Sequence, residues 1–257
     1  MVGFNERVTE RYENWLLSPP GCYCNLRERK LMIEMICPSG DERVLDLECR
    51  TGALLFDLGR QGCTVTGHSV SDQMLDRARR KLGGRASFHR GDWHDLPFSD
   101  NEFDIVLCMI VLEFCKSPHK VIAEAARVCC GTIAVGFYNA WSFGGGRRRL
   151  KDMFGPEISA MARLYSIWDM RNIVRSSLPG APLRWASLGM LNWQEHKTMV
   201  SVDEKITARR NPFGIFSAMV FPATVSMITI QEPLRERLGL GVPTGGKVAG
   251  AARETER

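Results

Sequence analysis

Residues 43–52, Arg-Val-Leu-Asp-Leu-Glu-Cys-Arg-Thr-Gly, constrain the fold of this 257-residue chain more than any other stretch. Val44, Leu45 and Leu47 make a short apolar strand, and a helix-like segment begins at Thr51. A strand-to-helix turn aims backbone N–H groups at a ligand beside the helix N-terminus, and glycines there let the backbone come close. The alternation continues downstream. Cys63–Gly67 predicts a second strand, and Ser71 is a good N-cap for a helix carrying Met74, Leu75, Ala78 and Leu82. Ala86–His89 predicts a third strand. Phe103–Val111 is a continuous apolar run of the kind found in strands covered on both faces. Val121–Val128 then reads as a helix and Gly131–Phe137 as another strand. Units of this length predict a parallel sheet with right-handed crossovers.

The flanks are less regular. Residues 5–36 read as helical, with Val8, Tyr12, Trp15 and Leu16 on one stripe. A break at Pro19-Pro20-Gly21 sets off a second stretch, Leu26–Ile36. Ser142–Arg149 reads as a flexible basic turn and Ile158–Leu178 as a helix. Leu183–Met190 and Gly214–Phe221 are late strands. The expected organisation is a helical cap over 1–40, an α/β domain over 41–232 with a variable cleft-covering region at 138–180, and a disordered tail over 233–257.

Composition sets the partners. A formal charge of +5 is too small to argue for nucleic acid, and the short runs Arg147–Arg149 and Arg209–Arg210 read as solvated faces. No apolar run reaches the roughly 18 residues of a membrane span, so no membrane partner is expected. The polar N-terminus does not read as a signal peptide, and the cytoplasm is the expected compartment. Most of the nine cysteines, including Cys63, Cys108, Cys115, Cys129 and Cys130, sit in apolar segments and read as buried free thiols. Cys22-Tyr-Cys24 has no second pair at zinc spacing, so no metal is expected.

Residues 43–52 resemble the first motif of class I S-adenosylmethionine-dependent methyltransferases, type 11-like, which reads Asp-x-Gly-x-Gly-x-Gly. Asp46 and Gly52 match it. Val65–Ser71 followed by Met74-Leu75 is similar to the second motif, and Gly91–Phe98 with Asn101–Asp104 to the third and fourth. Tyr12-Glu-Asn-Trp15 with Pro20-Gly21, and Asn139-Ala-Trp-Ser142, resemble flanking motifs of one subgroup. The resemblance implies a doubly wound, mostly parallel, seven-stranded Rossmann-like sheet under an N-terminal helical cap. It also implies a cofactor site at Asp46, Arg50, Gly52, Ser69, Asp92 and Trp93. In that site Asp92 accepts from the adenine amino group, Trp93 flanks the ring, and Met109–Phe114 floors the substrate pocket. His94, Glu113 and Tyr138 are candidates for lining the acceptor site, and no catalytic base is assigned.

The departures fall in that same site. Glu48 and Arg50 stand where the first two glycines belong, and Ser69 stands at the position of the acid that holds the ribose hydroxyls. A glycine at 48 would permit close approach and positive φ. A glutamate there adds bulk and a charge near the cofactor carboxylate, a like-charge contact costing several kcal/mol on the coulombic scale at about 4 Å. Loss of the ribose acid costs about 1–3 kcal/mol. Arg50 either pairs with Glu48 and fills the pocket or binds the cofactor carboxylate. The set implies weak or lost S-adenosylmethionine binding and a binding or regulatory role, with a small molecule or a protein as partner. The alternative is an active S-adenosylmethionine-dependent methyltransferase of a small molecule.

Overall fold

The cap is built by one serine shared between two helices. In the computed structural model, which describes residues 4–189 and 210–223, α1 spans Glu6–Leu17 and α2 spans Pro19–Ile36. Asn5 caps α1 by accepting from Val8 N at 3.1 Å. The Ser18 N–H donates to Asn14 O and Trp15 O, closing α1, and its hydroxyl accepts from Gly21 N at 3.2 Å, opening α2. Pro19 and Pro20 occupy the first turn of α2, where a missing N–H costs nothing. The Pro-Pro-Gly break is therefore the start of the second helix, seven residues before the expected start at Leu26.

The α/β alternation follows as expected. β1 (Arg43–Asp46), α3 (Ala53–Arg60), β2 (Thr64–Ser69), α4 (Asp72–Leu82), β3 (Ala86–Arg90), β4 (Phe103–Met109), α5 (Pro118–Val128) and β5 (Cys129–Tyr138) run in order. α6 (Gly145–Phe154), α7 (Pro156–Met161), α8 (Ile167–Ser177), β6 (Arg184–Leu188) and β7 (Phe216–Pro222) complete the described residues. The seven strands lie in the order β3-β2-β1-β4-β5-β7-β6. β1 to β5 pair in parallel, and β7 is antiparallel to both neighbours. This is the doubly wound sheet under a helical cap that the resemblance implies. β1 and β4 leave toward opposite sides of the order, so the crevice for a ligand lies at their carboxyl ends.

Three expectations need correction. Residues 142–149 are not a flexible turn throughout, because Gly145–Arg149 form the first half of α6. The stretch 158–178 is two helices, with Ser166 starting α8 through a capping box with Asp169. Cys130 is exposed and Cys115 only half-buried, whereas Cys63, Cys108 and Cys129 are buried; none of the nine is in a disulfide. The expected tail over 233–257 lies outside the described residues.

Gly21 is where α1 and α2 touch. A Cβ there would lie 1.8 Å from the carbonyl oxygen of Trp15, whereas one at Gly84 would meet nothing within 4 Å. Gly21→Ala is therefore expected to destabilise the protein by about 1–3 kcal/mol through overpacking, lowering Tm by on the order of 5 °C. Gly84→Ala is expected to leave the melt within about 1 °C of the parent, and paired thermal melts check both.

Candidate functional site

β1 ends at Asp46, and the turn after it carries Leu47 to Gly52 into α3. Every residue from Val44 to Leu55 is buried. The backbone keeps a left-handed conformation at two turn positions, Arg50 with φ 49° and Gly52 with φ 75°. Glycine adopts that region freely, while a residue with a Cβ is uncommon there. Positive φ is thus needed at position 50 and not at 48, which corrects the expectation drawn for Glu48.

Glu48 reaches across to the neighbouring strand. Its carboxylate accepts from the Ser69 hydroxyl at 2.5 Å and from Val70 N at 3.4 Å. Two of the three departures therefore meet each other, and a carboxylate still stands at the end of β2 although it comes from the turn after β1. Asp46 accepts from Glu48 N at 3.2 Å and so braces the turn. Burial pushes the Glu48 carboxyl up to about 7 despite the Ser69 hydrogen bond, and pushes Asp46 up to about 6 against the pull of Arg50.

Among the described residues, Arg50 pairs with neither Glu48 nor any other acid within ion-pair distance. Its guanidinium lies 5.6 Å from the centre of the Tyr12 ring, and its Nη1 is buried with no hydrogen-bond partner. Tyr12 stacks on Phe154 at 5.5 Å, and Phe4 meets Phe114 and Phe154 edge-on at 5.6 and 5.3 Å. The Ser71 hydroxyl donates to Phe4 O at 2.6 Å, tying the chain before α1 down beside the turn. The cap therefore covers the turn with aromatic rings.

Asp92 and Trp93 follow β3. Asp92 is half-buried, and its Oδ1 accepts from His94 N at 3.0 Å and lies 2.6 Å from His94 Nδ1. Those His94 contacts hold the Asp92 carboxyl below its ordinary range. Trp93 is buried, and its indole N–H has no partner. His94 is thus tied to Asp92 rather than placed with Glu113 and Tyr138.

Glu113 and Tyr138 do come together. Tyr138 N donates to Glu113 Oε1 at 2.9 Å, and Tyr138 OH donates to Glu28 Oε1 at 2.9 Å. Both acids are buried, and each keeps a second oxygen without a partner. Burial pushes Glu113 up to about 7 and raises Glu28, although Arg149 opposes the latter. Phe4, Glu28 and Arg149 were not legible as parts of this region. Glu28 lies among Arg27, Arg29 and Lys30 in a mixed-charge stretch of α2 that reads as a solvated face, and Arg149 sits in what reads as a solvated basic run. Asp104, by contrast, anchors the outer end of β4 through Arg43, with contacts at 2.9 and 3.0 Å, and lies away from the crevice.

Residues 45–131 match the model of a methyltransferase domain family. The sheet built around them has the class I methyltransferase fold. Over 95 residues the chain is 37% identical to a demethylmenaquinone methyltransferase of Clavibacter sepedonicus, covering 36% of this chain and 39% of the relative. Over 127 residues it is 32% identical to the enzyme of that name from Thermotoga maritima, covering 48% and 54%. The chain thus spans between two fifths and about half of the length of these relatives. Among solved structures, a SAM-dependent methyltransferase from Thermotoga maritima superposes with a TM-score of 0.68 at 20% identity, covering 85% of this chain and 97% of that one. The magnesium protoporphyrin IX methyltransferase of Synechocystis, solved with bound SAH, superposes with a TM-score of 0.61 at 14% identity, covering 86% and 96%. These likenesses carry the fold.

S-adenosylmethionine is the cofactor of this family. In the arrangement described, the residues at the turn do not fit it. The Glu48 side chain lies beside Ser69, where the resemblance puts the ribose hydroxyls, and both of its oxygens are engaged. The Arg50 side chain lies buried where a glycine would leave open space.

The raised Glu48 carboxyl has a sign. Its folded value of about 7 lies above the ordinary 4.5, so the folded state holds the extra proton. The stability this contributes is full below about pH 4.5 and is lost as pH rises through about 7. Glu48→Gln is therefore expected to raise Tm at pH 8 by about 2–4 °C, corresponding to about 1 kcal/mol, with little change at pH 5. Melts of both proteins from pH 5 to 8 read this directly.

Proposed function

We propose that this chain is a methyltransferase-fold protein whose cofactor crevice is closed by its own side chains, leaving S-adenosylmethionine binding weak or lost and the fold serving as a binding or regulatory module. The observation that carries the reading is the contact between Glu48 and Ser69. Two residues that each depart from the cofactor-binding pattern satisfy one another. A pocket kept for cofactor would leave both exposed to it.

A second reading is an active S-adenosylmethionine-dependent methyltransferase of a small molecule, and the comparisons favour it over the first. The family model matches across the turn, and the curated relatives at 37% and 32% identity carry enzyme names. One structural observation supports it as well. Arg50 Nη1 is a buried cationic donor without a partner, suited to an anionic group such as a carboxylate. Methyl transfer by in-line attack asks chiefly for a positioned nucleophile, so the lack of an assigned base does not weigh against it.

Calorimetric titration with S-adenosylmethionine and S-adenosylhomocysteine separates the two. The first reading predicts no saturable heat up to about millimolar ligand, the weak end of measurable affinity. It also predicts that the triple variant Glu48→Gly/Arg50→Gly/Ser69→Asp gains affinity by at least about 100-fold, since the three changes together are worth several kcal/mol. Micromolar binding by the parent chain, weakened by Asp92→Ala, would establish the second reading instead.

A further inference from the structure

Four large aromatic side chains stand exposed in one connected group, away from the turn. Trp141 is 48% exposed, Phe143 85%, Trp168 44% and Phe213 40%. The rings of Trp141 and Trp168 lie 4.5 Å apart, Trp141 and Phe213 6.4 Å, and Phe143 and Phe213 5.8 Å. They come from three separate places: the loop after β5, the first turn of α8, and the turn before β7. Local sequence alone does not force such a gathering. Isolated exposed apolar residues are normal, whereas a contiguous aromatic group marks an interaction surface.

The backbone holds the group outward. Phe143 and Gly144 take consecutive left-handed conformations, with φ 50° and 81°. For phenylalanine that conformation costs on the order of 1 kcal/mol, and here it keeps the ring in solvent rather than in the core. Asn139 fixes the base of the loop, donating from its amide to Gly214 O at 3.0 Å and accepting from Trp141 N at 3.0 Å. One buried side chain thus ties the Trp141 loop to the Phe213 turn.

The rim is cationic. Arg171 and Arg175 lie three and seven residues after Trp168 on α8, on the same helical face, and both are exposed. Arg210 is exposed three residues before Phe213. The acid closest in sequence is Asp169, whose carboxylate is turned back onto Ser166 N and Oγ at 2.9 and 2.8 Å. Tyr138 pairs with Phe216 across β5 and β7, so Trp141 and Phe213 both lie at the carboxyl end of β5. That is the edge at which the crevice opens.

From this juxtaposition we propose that the Trp141–Phe143–Trp168–Phe213 patch docks the protein onto the surface of an anionic lipid bilayer. Aromatic rings sit well at the boundary between headgroups and acyl chains, and arginines beside them meet anionic headgroups. A second copy of the chain would bring arginine against arginine in a two-fold contact. A single-stranded nucleic acid needs open ring faces, and those of Trp141 and Trp168 are turned to each other. A convex Phe143 on a glycine-flanked turn needs no matching socket in a deformable layer. The contact is with the surface only, since no described helix is long and apolar enough to cross a membrane. It holds whether or not the crevice takes cofactor.

Co-sedimentation of the full chain with vesicles tests this. The chain is expected to pellet with vesicles containing phosphatidylglycerol, to do so less as salt is raised, and to remain in solution with phosphatidylcholine alone. Phe143→Ser/Trp168→Ser and Arg171→Glu/Arg175→Glu are each expected to weaken the association by about tenfold or more. Circular dichroism melts like the parent's would show that both variants fold. Absence of pelleting with either vesicle would overturn the proposal, as would pelleting undiminished in both folded variants. Self-association or oligonucleotide binding lost in the same variants, without vesicle binding, would assign the patch to those partners instead.

Discussion

The turn after β1 depends on how it accommodates charge without water. Four ionisable side chains, Asp46, Glu48, Arg50 and Glu113, are buried around the carboxyl ends of β1 and β4. A buried charge is costly unless it is paired or hydrogen-bonded, and otherwise it gives up its ionisation. Here hydrogen bonding and neutralisation take the place of ion pairs. Glu48 takes the Ser69 hydroxyl, Asp46 takes a backbone N–H, Glu113 takes the N–H of Tyr138, and Arg50 lies against the Tyr12 ring. The acids are raised toward neutrality by burial, while the arginine keeps its charge. The cap, the turn and the crevice floor are joined through this group.

That arrangement explains why the two readings of function separate on one residue. If Arg50 serves as the counter-charge of its own buried acids, the crevice is closed from within. If its free Nη1 serves an incoming carboxylate, the same side chain is a cofactor anchor. Glu48 weighs toward closure because its partner, Ser69, is itself the residue that departs at the ribose position. The relatives weigh the other way.

Most of the fold was legible in the sequence, because strands covered on both faces write themselves as apolar runs such as Phe103–Val111. Helix starts were legible where a side chain does the capping, as at Ser71. The shared cap at Ser18 was harder, since Pro-Pro-Gly reads as a break and only the geometry shows it opening a helix. The site was legible where a motif names its residues and illegible where tertiary packing recruits them. Glu48 and Ser69 stand 21 positions apart, and nothing local predicts that they bond. Phe4 and Glu28 enter through the cap, whose placement over the turn depends on rings at Tyr12, Phe114 and Phe154. The aromatic patch was illegible for the same reason: Trp141, Trp168 and Phe213 are separated by dozens of residues and meet only in the folded chain.

The most direct test of a turn closed by its own side chains is a crystal structure of the protein grown with millimolar S-adenosylhomocysteine. The closed arrangement predicts the Glu48 carboxylate on the Ser69 hydroxyl, Arg50 under Tyr12, and no ligand density between β1 and β2. Ligand density there, with Arg50 turned onto its carboxylate and Glu48 released from Ser69, would contradict it.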